Sequence, residues 1–185
     1  MPFIGKTKEA AVPYLGNTKE AVMPSDYYLL VSGVNGESQA QGMTNYIDIL
    51  SWSWGGSNPT IISAASMGLS AGKPVLSDFT CTFMVDASVY QLVANMVRGT
   101  HIQNCTFVGR KTGGDGTPYK YFIITLTNCF IDNFGTSGDS TGVPQASLSI
   151  AYGSIQLQYF TQDTSTGGVT LAGQANYDVQ QAKAA

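Results

Sequence analysis

Charged side chains are scarce in this sequence. Lys, Arg, Asp and Glu together make up 11% of its 185 residues, whereas about 25% is usual in a globular protein. The net charge is −3, and no cluster of Lys or Arg is present to neutralise phosphates. This balance argues against a nucleic-acid-binding protein. A neutral polar surface is easily desolvated by partners, although a β-protein with Ser and Thr on its outward faces would have the same composition.

Few residues of the kind that perform chemistry are present. Cys81, Cys105 and Cys129 lie singly in strand-like segments, which favours reduced core thiols of a cytosolic protein over a disulfide framework. His101 is the one histidine and has no metal-ligand spacing around it, so we predict neither metal nor cofactor. No apolar run approaches the roughly 20 residues of a membrane helix. Residues 1–8 lack the apolar region of a conventional signal peptide. We therefore expect a cytoplasmic chain that is not inserted in a membrane.

The first 25 residues contain a short repeat. The sequences GKTKEA at 5–10 and GNTKEA at 16–21 are each followed by a proline. Each copy could form one helical turn before its proline stops it, but neither is long enough to be stable alone. We interpret residues 1–25 as an N-terminal extension, either a disordered leader or an accessory arm.

From Asp26 onward, the pattern of apolar residues predicts mostly strands. Alternation is cleanest around residue 80, where Val75, Phe79 and Phe83 share one face. The tail over residues 161–185 is polar, with a possible short closing strand near 177–179. The main predicted strands cover residues 27–32, 44–54, 75–85, 101–110, 119–134 and 145–160.

A single helix is predicted at about residues 87–98. Asp86 or Ser88 can cap its start, and Gly99 can close its end. One helix among about seven strands predicts a mostly β fold, an antiparallel barrel or sandwich over residues 26–160 with the helix covering one opening or edge. Its apolar residues fall on one stripe: Val89, Leu92, Val93 and Met96.

The strand at 44–54 contains a change of phase. Under strict alternation Ile47 and Ile49 share one face, whereas Leu50, Trp52 and Trp54 share the other. A β-bulge at Ile49-Leu50, or burial of both faces, would resolve the conflict. We predict that the upstream half packs on one side and that the two tryptophans anchor the core on the other.

Residues 55–72 are rich in Gly and Ser and show no regular pattern, which predicts a long loop of the kind that is often functional. The sequence GLSAG at 68–72 matches the G-x-S-x-G pattern of a serine hydrolase, with Ser70 as nucleophile and His101 as base. That pattern requires a strand that turns sharply into a helix, whereas a strand is predicted next here. We therefore predict no enzymatic activity.

Several segments resemble the haemolysin-coregulated proteins, the inner-tube subunits of bacterial type VI secretion systems. The resemblance begins with DYYLL at 26–30, GVNGES at 33–38 and IDILSWSWG at 47–55, and it covers about residues 26–180. At 39–42 the family usually carries charges and often a histidine, which this sequence lacks, so no salt-bridged ring contact is implied there. Further matches follow in order at 72–73, 78–79, 85–86, 99–102, 110–114, 124–126, 144–150 and 177–179.

The resemblance implies a β-barrel with one helix, similar to a phage tail-tube protein, that assembles as a homohexameric ring. Rings would stack into a tube that a contracting sheath fires from the cell, so the protein would be secreted without a cleaved signal peptide. The implied partners are the sheath, the baseplate or spike, and small effector proteins carried in the lumen. Residues 56–72 correspond to an arm that reaches the neighbouring ring, with these residues as its candidate contacts: Gly56, Ser57, Asn58, Ser70 and Gly72.

Ser51 and Ser53 are the candidate lumen residues. If Trp52 and Trp54 point into the core, the two serines point the other way, and the resemblance places that face towards the tube interior. Alternatively, both serines pack under a neighbouring subunit. The other functions considered are a monomeric ligand-binding barrel resembling a lipocalin, the serine hydrolase above, and a tube protein fused to a toxin, for which the tail is too short.

Overall fold

A computed structural model describes residues 26–63, 68–113, 116–140, 142–163 and 166–184. The repeat predicted in residues 1–25 lies outside this part of the chain. The described residues form these strands and one helix: β1 Asp26–Val31, β2 Ile47–Ser53, β3 Gly56–Ser57, β4 Thr60–Ser63, β5 Gly68–Ala71, β6 Val75–Leu76, β7 Phe79–Met84, α1 Ser88–Arg98, β8 Ile102–Thr112, β9 Pro118–Ser137, β10 Gln145–Gln162, β11 Val169–Asp178 and β12 Lys183–Ala184.

Six of the strands close into an antiparallel barrel. They are ordered β10, β7, β2, β1, β8 and β9, and β9 pairs back onto β10. Every neighbouring pair in this circuit is antiparallel. The predicted mostly β fold with a barrel and one helix is therefore confirmed.

The C-terminal part of the chain adds two more strands outside the barrel. β11 pairs with the second half of β10 over Ser154 to Gln162, and β12 pairs with the end of β11. β11 has 10 residues and is therefore longer than the strand predicted near 177–179. Its side chains from Val169 to Ala175 are all exposed, so this part of the strand has no buried face that could give an alternating pattern.

Aromatic and aliphatic side chains fill the barrel interior. In β7 the buried residues Phe79, Cys81 and Phe83 alternate with residues that face outward. The rings of Phe79 and Phe107 lie 5.3 Å apart between centroids. Because burying a large apolar side chain contributes roughly 1.5–3 kcal/mol, this core supplies much of the stability.

α1 lies over the barrel, packs against β9 and starts one residue later than predicted. The Asp86 carboxylate accepts a hydrogen bond from the Ser88 backbone N–H at 2.9 Å, so it satisfies a donor of the first turn. Gly99 ends the helix with φ of 62°, a left-handed conformation that glycine adopts without strain. The side chain of Leu92, on the inner face of α1, is fully buried.

A second, smaller core lies on the outside of β1 and β8, under the segment that joins β1 to β2. It is formed by Tyr28, Met43 and Val108. Arg110 is buried beside it and donates hydrogen bonds to the Tyr28 hydroxyl at 2.9 Å and to the Gln41 carbonyl at 2.8 Å. This guanidinium therefore fixes the 39–42 segment to the barrel wall.

Candidate functional site

β2 contains a β-bulge at its centre. Ile49 lies opposite Phe83 of β7, but Ser51 lies opposite the very next residue, Thr82, so Leu50 is an extra residue without a partner. Leu50 is 51% exposed. Of the two predicted resolutions of the phase conflict, the bulge is the one that the structure contains.

The bulge places both halves of β2 on the same core. Ile47 and Ile49 belong to the main core, and Trp52 and Trp54 pack against that same core. The prediction that the two halves pack on opposite sides is therefore wrong, and Leu50 does not share the face of the tryptophans. The physical reason is that one inserted residue reverses the alternation, so residues 47 and 49 come into phase with 52 and 54.

Trp52 lies in a group of aromatic rings. Its ring centroid is 4.7 Å from that of Phe107, 5.7 Å from that of Phe122 and 6.1 Å from that of Tyr27. These separations are within the range of favourable aromatic contacts. The indole therefore holds together strands from different parts of the barrel.

Trp54 has a polar partner. Its Nε1 donates to the Tyr152 hydroxyl at 2.5 Å, and this hydroxyl donates to the Ser77 carbonyl at 2.9 Å. Burial raises the pKa of Tyr152, although the hydrogen bond from Trp54 acts in the opposite direction. The Trp54–Tyr152–Ser77 chain thus ties the end of β2 to β10 and to the start of β7.

Opposite the tryptophans, short polar side chains form two rows across four strands. One row runs from Ser51 through Thr82 to Ser147, and it ends at Gly135 of β9. The second row runs from Ser53 through Thr80 to Ser149, and it ends at Asn133 of β9. We call the six hydroxyl residues the hydroxyl face: Ser51, Ser53, Thr80, Thr82, Ser147 and Ser149.

Hydrogen bonds orient part of the hydroxyl face. Ser51 Oγ and Thr82 Oγ1 are 2.6 Å apart and share one hydrogen bond. Thr80 Oγ1 donates to the Ser53 carbonyl at 3.2 Å, and Ser149 Oγ lies 3.5 Å from Asp78 Oδ2. Ser51 and Ser53 nevertheless stay exposed, so the surface offers both donors and acceptors to a partner.

The hydroxyl face forms the floor of a shallow depression of about 480 Å³, with Asp132 and Asn133 also in its lining. Among the described residues that line it, none is Lys, Arg or His. Groups of three or more His, Cys, Asp or Glu that could hold a metal ion do not occur in the described part of the chain. The chemistry available here is reversible hydrogen bonding.

The Gly- and Ser-rich segment after β2 is an ordered arm, unlike the irregular loop predicted at 55–72. β3 pairs with β6 to form its neck, and β4 pairs with β5 beyond the neck. Three hydrogen bonds between Gly55 and Ser77 close the neck. The Ser77 N–H donates to the Gly55 carbonyl at 2.9 Å, the Gly55 N–H donates to Ser77 Oγ at 3.0 Å, and Ser77 Oγ donates to the Gly55 carbonyl at 3.0 Å. Backbone hydrogen bonds between β3 and β6 and between β4 and β5 hold this arm together. The segment is rich in Gly and Ser, which give no pattern from which these strands could be predicted.

The candidate arm contacts are spread along the arm. Gly56 and Ser57 form β3, Asn58 follows as an exposed residue, and Ser70 lies in β5 opposite Ile61. Glycines are required where strands approach closely, because a Cβ on Gly72 would lie 2.7 Å from the Pro59 carbonyl oxygen. The Gly72 N–H also donates to that oxygen at 2.7 Å.

Comparison with known proteins decides the family. The family model described as "Type VI secretion system effector, Hcp" matches residues 28–159. This chain belongs to the Hcp family. Members of this family are secreted tube proteins of type VI secretion. A comparison with curated protein sequences gives no significant match.

Solved structures of Hcp proteins have the same fold. A structure described as a type six secretion system protein has a TM-score of 0.80 at 23% identity, with 88% of this chain and 100% of that chain covered. Hcp1 from Salmonella typhimurium gives 0.71 at 23% identity and the same coverage. A type VI secretion system effector from Yersinia pestis gives 0.66 at 26% identity, covering 83% of this chain and 100% of that chain.

The hydrolase-like sequence of this Hcp-family chain is not in the context that its chemistry requires. Ser70 lies within β5, and the next element along the chain is the strand β6. His101 is exposed, with its ring centroid 5.4 Å from that of Phe130 in β9. A nucleophile elbow needs a helix directly after the serine, so the geometry lends no support to the pattern.

The three cysteines of this Hcp-family chain are free and buried. Burial raises the pKa of the Cys81 thiol to about 12. A hydrogen bond with Cys129, together with burial, raises the pKa of Cys105. The same hydrogen bond lowers the pKa of Cys129. All three thiols are buried and inaccessible to reagents, so these residues serve as apolar side chains of the core. No helix among the described residues has both the length and the hydropathy needed to cross a bilayer.

Proposed function

We propose that this chain is a structural, non-catalytic subunit of the type VI secretion inner tube. Six copies form a ring, rings stack into a tube, and the hydroxyl face lines the lumen and contacts effector proteins. The observation that carries the proposal is the pair of hydroxyl rows across β2, β7, β10 and β9, which expose Ser51 and Ser53 behind the anchored tryptophans. Family membership supports the tube role.

The hydroxyl face suits a surface that must bind cargo and then release it. Neutral hydroxyl groups already exchange hydrogen bonds with one another and with backbone carbonyls. A partner therefore exchanges one set of hydrogen bonds for another, and the net gain per bond is only about 0.5–1.5 kcal/mol. Weak contacts of this kind permit binding in the lumen without trapping the cargo.

The arm is proposed to make the contact between stacked rings. It leaves the barrel at Gly55 and returns at Ser77, and the paired strands β4 and β5 lie between these points. In this proposal the contacts come from Gly56, Ser57 and Asn58 on one side and from Ser70 and Gly72 on the other. Before firing the protein is cytoplasmic, and it meets the sheath and the baseplate or spike during assembly.

A ligand-binding barrel resembling a lipocalin is less well supported. Such a protein needs an open apolar interior. Here Phe79, Phe83 and Phe107 are fully buried in the middle of the barrel. Side chains occupy the space that a small molecule would need.

A gold label on Ser53→Cys tests the placement of the hydroxyl face. The native cysteines are buried, so a maleimide–gold cluster should react with the introduced thiol alone. Negative-stain images of labelled rings should show density inside the central opening. Density at the outer rim would overturn the lumen assignment and leave the ring itself intact. Wild-type rings treated with the same reagent are the control, and they should carry no gold.

A further inference from the structure

The two ends of strand β7 lie at different surfaces of the barrel. The arm leaves the barrel at Gly55 and returns at Ser77, just before β7 begins. β7 then runs for six residues from Phe79 to Met84, which corresponds to roughly 17 Å. A tube that grows by adding identical rings in one orientation joins two different surfaces, one from each end of a ring. An arm that joins rings would therefore meet, on the next ring, the end that contains Met84.

A depression of about 460 Å³ lies at that end. Gln145, the first residue of β10, lies opposite both Met84 of β7 and Ser137 of β9. The Val85 N–H donates to the Pro144 carbonyl at 2.9 Å, so the connection between β9 and β10 is held against the end of β7. We call this site the Val143 depression, after the residue of that connection that lines it.

Aliphatic side chains of the Val143 depression are left in solvent. Val143 is 61% exposed and Met84 is 44% exposed. A Cβ on Gly142, which also lines the depression, would have nothing within 4 Å. Asp139 is the one charged residue among the described residues that line it, and it already has an interaction partner within the chain. The depression therefore offers mainly apolar contact to a partner.

The arm has matching chemistry. Its sequence from 60 to 71 contains Ile, Leu and Met but no charged residue. Lys73 is the one charged residue over 55–76, and it lies between β5 and β6 at the base of the arm. Val75 of the neck strand β6 is 63% exposed. A nearly neutral arm loses little solvation energy when it meets an apolar surface.

The arm also has the reach and the backbone groups for such a contact. Its first side runs from Gly56 to Ser63, which corresponds to roughly 25 Å when extended, whereas packed β layers are only about 10 Å apart. β4 and β5 form a two-stranded sheet, so each strand has one edge without a strand neighbour among the described residues. Unpaired edges are ready to form backbone hydrogen bonds with another chain.

We propose that the Val143 depression receives the arm of a second copy that belongs to the next ring. Met84 and Val143 make the apolar contact, and the free edges of the arm strands bond to backbone groups of the connection between β9 and β10. This inference rests on the proposed function, because it takes the arm to be the stacking element, and it adds the surface on which the arm docks.

Cross-linking between separately assembled rings tests the contact. One sample carries Asn58→Cys in the arm and the other carries Val143→Cys. The native cysteines are buried, so a short bis-maleimide should react with the introduced thiols. After mixing, we expect a cross-linked dimer on denaturing gels. An absence of this dimer would overturn the proposal.

The matched control for cross-linking pairs Asn58→Cys with Val97→Cys. Val97 is 76% exposed on α1 and is not among the residues that line the Val143 depression. This pair should give at least about ten-fold less dimer, because only a docked arm holds two thiols at a high effective concentration. Equal yields from the two pairs would contradict the proposal.

A charge in the depression should block stacking. Val143→Glu should lower the fraction of stacked rings in electron micrographs at least about ten-fold, because the contact would bury an unpaired carboxylate. Val97→Glu adds the same charge at an exposed site of α1 and should leave stacking unchanged. Circular dichroism checks that both variants fold. Stacking of Val143→Glu at the wild-type level would argue against the depression.

Salt should not disperse the stacks. Raising NaCl from about 0.1 to 1 M shortens the screening length from about 10 to 3 Å and weakens contacts between charges. A contact made by aliphatic side chains should keep or increase the stacked fraction. A ten-fold or greater loss of stacking over this range would show that charges hold the rings together, which contradicts the proposal.

Sedimentation of the wild-type protein distinguishes the two levels of failure. If rings form but Asn58→Cys and Val143→Cys do not cross-link, this inference fails and the ring stands. If no rings form, the proposed function fails, and the preference of the arm for Val143→Cys over Val97→Cys between monomers still judges the depression. If Val143→Glu abolishes rings themselves, the depression belongs to a contact within the ring and this inference is overturned.

Discussion

At the scale of single residues, Trp52 connects the stability of the barrel to the geometry of the hydroxyl face. Its ring packs against Phe107 and Phe122 on one side of β2, and the neighbouring residues Ser51 and Ser53 project from the other side. A strand cannot rotate without moving both faces, because successive side chains alternate. The tryptophan therefore sets the direction in which the serines point.

Replacing Trp52 with Ala should lower the free energy of unfolding by about 3–5 kcal/mol, because it removes a large ring from an aromatic cluster. Chemical denaturation followed by circular dichroism measures this loss. Leu50→Ala on the same strand is the control, and it should change stability by less than about 1 kcal/mol because Leu50 is half exposed. Similar losses for the two variants would contradict the assignment of the core face.

The Cys81 thiol should make stability fall at high pH. Its pKa rises from 9.0 to about 12 on folding, so the folded state holds this proton more tightly than the unfolded state. The contribution is complete below pH 9 and is lost as the pH approaches 12. Between pH 8 and 10.5, wild-type protein should lose about 2 kcal/mol more stability than Cys81→Ala. Equal losses in denaturant titrations at the two pH values would refute this role.

At the scale of elements, the arm depends on close backbone approach. A Cβ at Gly72 would lie 2.7 Å from the Pro59 carbonyl oxygen, whereas a Cβ at Gly55 would have nothing within 4 Å. These two glycines therefore offer a matched pair of substitutions at the two ends of the same arm.

Gly72→Ala should disturb the base of the hairpin and shorten stacked tubes, and Gly55→Ala should leave tube length unchanged. The lengths can be measured in electron micrographs of protein assembled under one condition. Ring formation should be normal in both variants, since the arm lies outside the barrel. Tubes of wild-type length from Gly72→Ala would argue against a role of the arm in stacking.

The long strand β9 contains one residue with a left-handed backbone, Asn128, which has φ of 56°. Leu126 before it and Cys129 after it both belong to the core, so the core-facing phase changes at this residue. Asn tolerates the left-handed conformation and β-branched residues do not. Asn128→Val should destabilise the protein by about 1–3 kcal/mol, and Asn128→Gly should be close to neutral in the same thermal melts. A neutral valine variant would show that the left-handed backbone at this position is not required.

The elements that could be predicted from the sequence are those with one buried face. In β7, Phe79, Cys81 and Phe83 alternate with polar residues, and in α1 a single stripe reaches the core at Leu92. Most of β11 was not predicted, and only a short strand near 177–179 was expected there, because its side chains up to Ala175 are exposed. The paired strands of the arm were not predicted either, because the segment is rich in Gly and Ser. Nearly every residue has the same backbone donor and acceptor, so pairing that depends on backbone hydrogen bonds alone cannot be predicted from the residue pattern.

At the scale of the whole molecule, the candidate site was only partly predictable. Alternation beside Trp52 correctly indicated that Ser51 and Ser53 point away from the core. The partners that complete their rows, Thr82 and Ser147 among them, come from distant strands and depend on a register that only the fold supplies. The exposure of Leu50 follows from the bulge, and the sequence left the bulge as one of two alternatives.

The barrel and its arm present two separate surfaces. The closed circuit of strands carries the hydroxyl face, which lines a shallow depression. The arm extends from the barrel through a narrow neck at Gly55 and Ser77. In our account, the first surface lines a ring and the second connects one ring to the next.

Determination of the mass of the purified protein in solution, by sedimentation equilibrium at micromolar concentration, tests this account most directly. The account predicts a species of six times the 19.6 kDa chain mass, with images of the same sample showing rings that have an open centre. A single species of monomer mass across the concentration range, with no rings in the images, would contradict it.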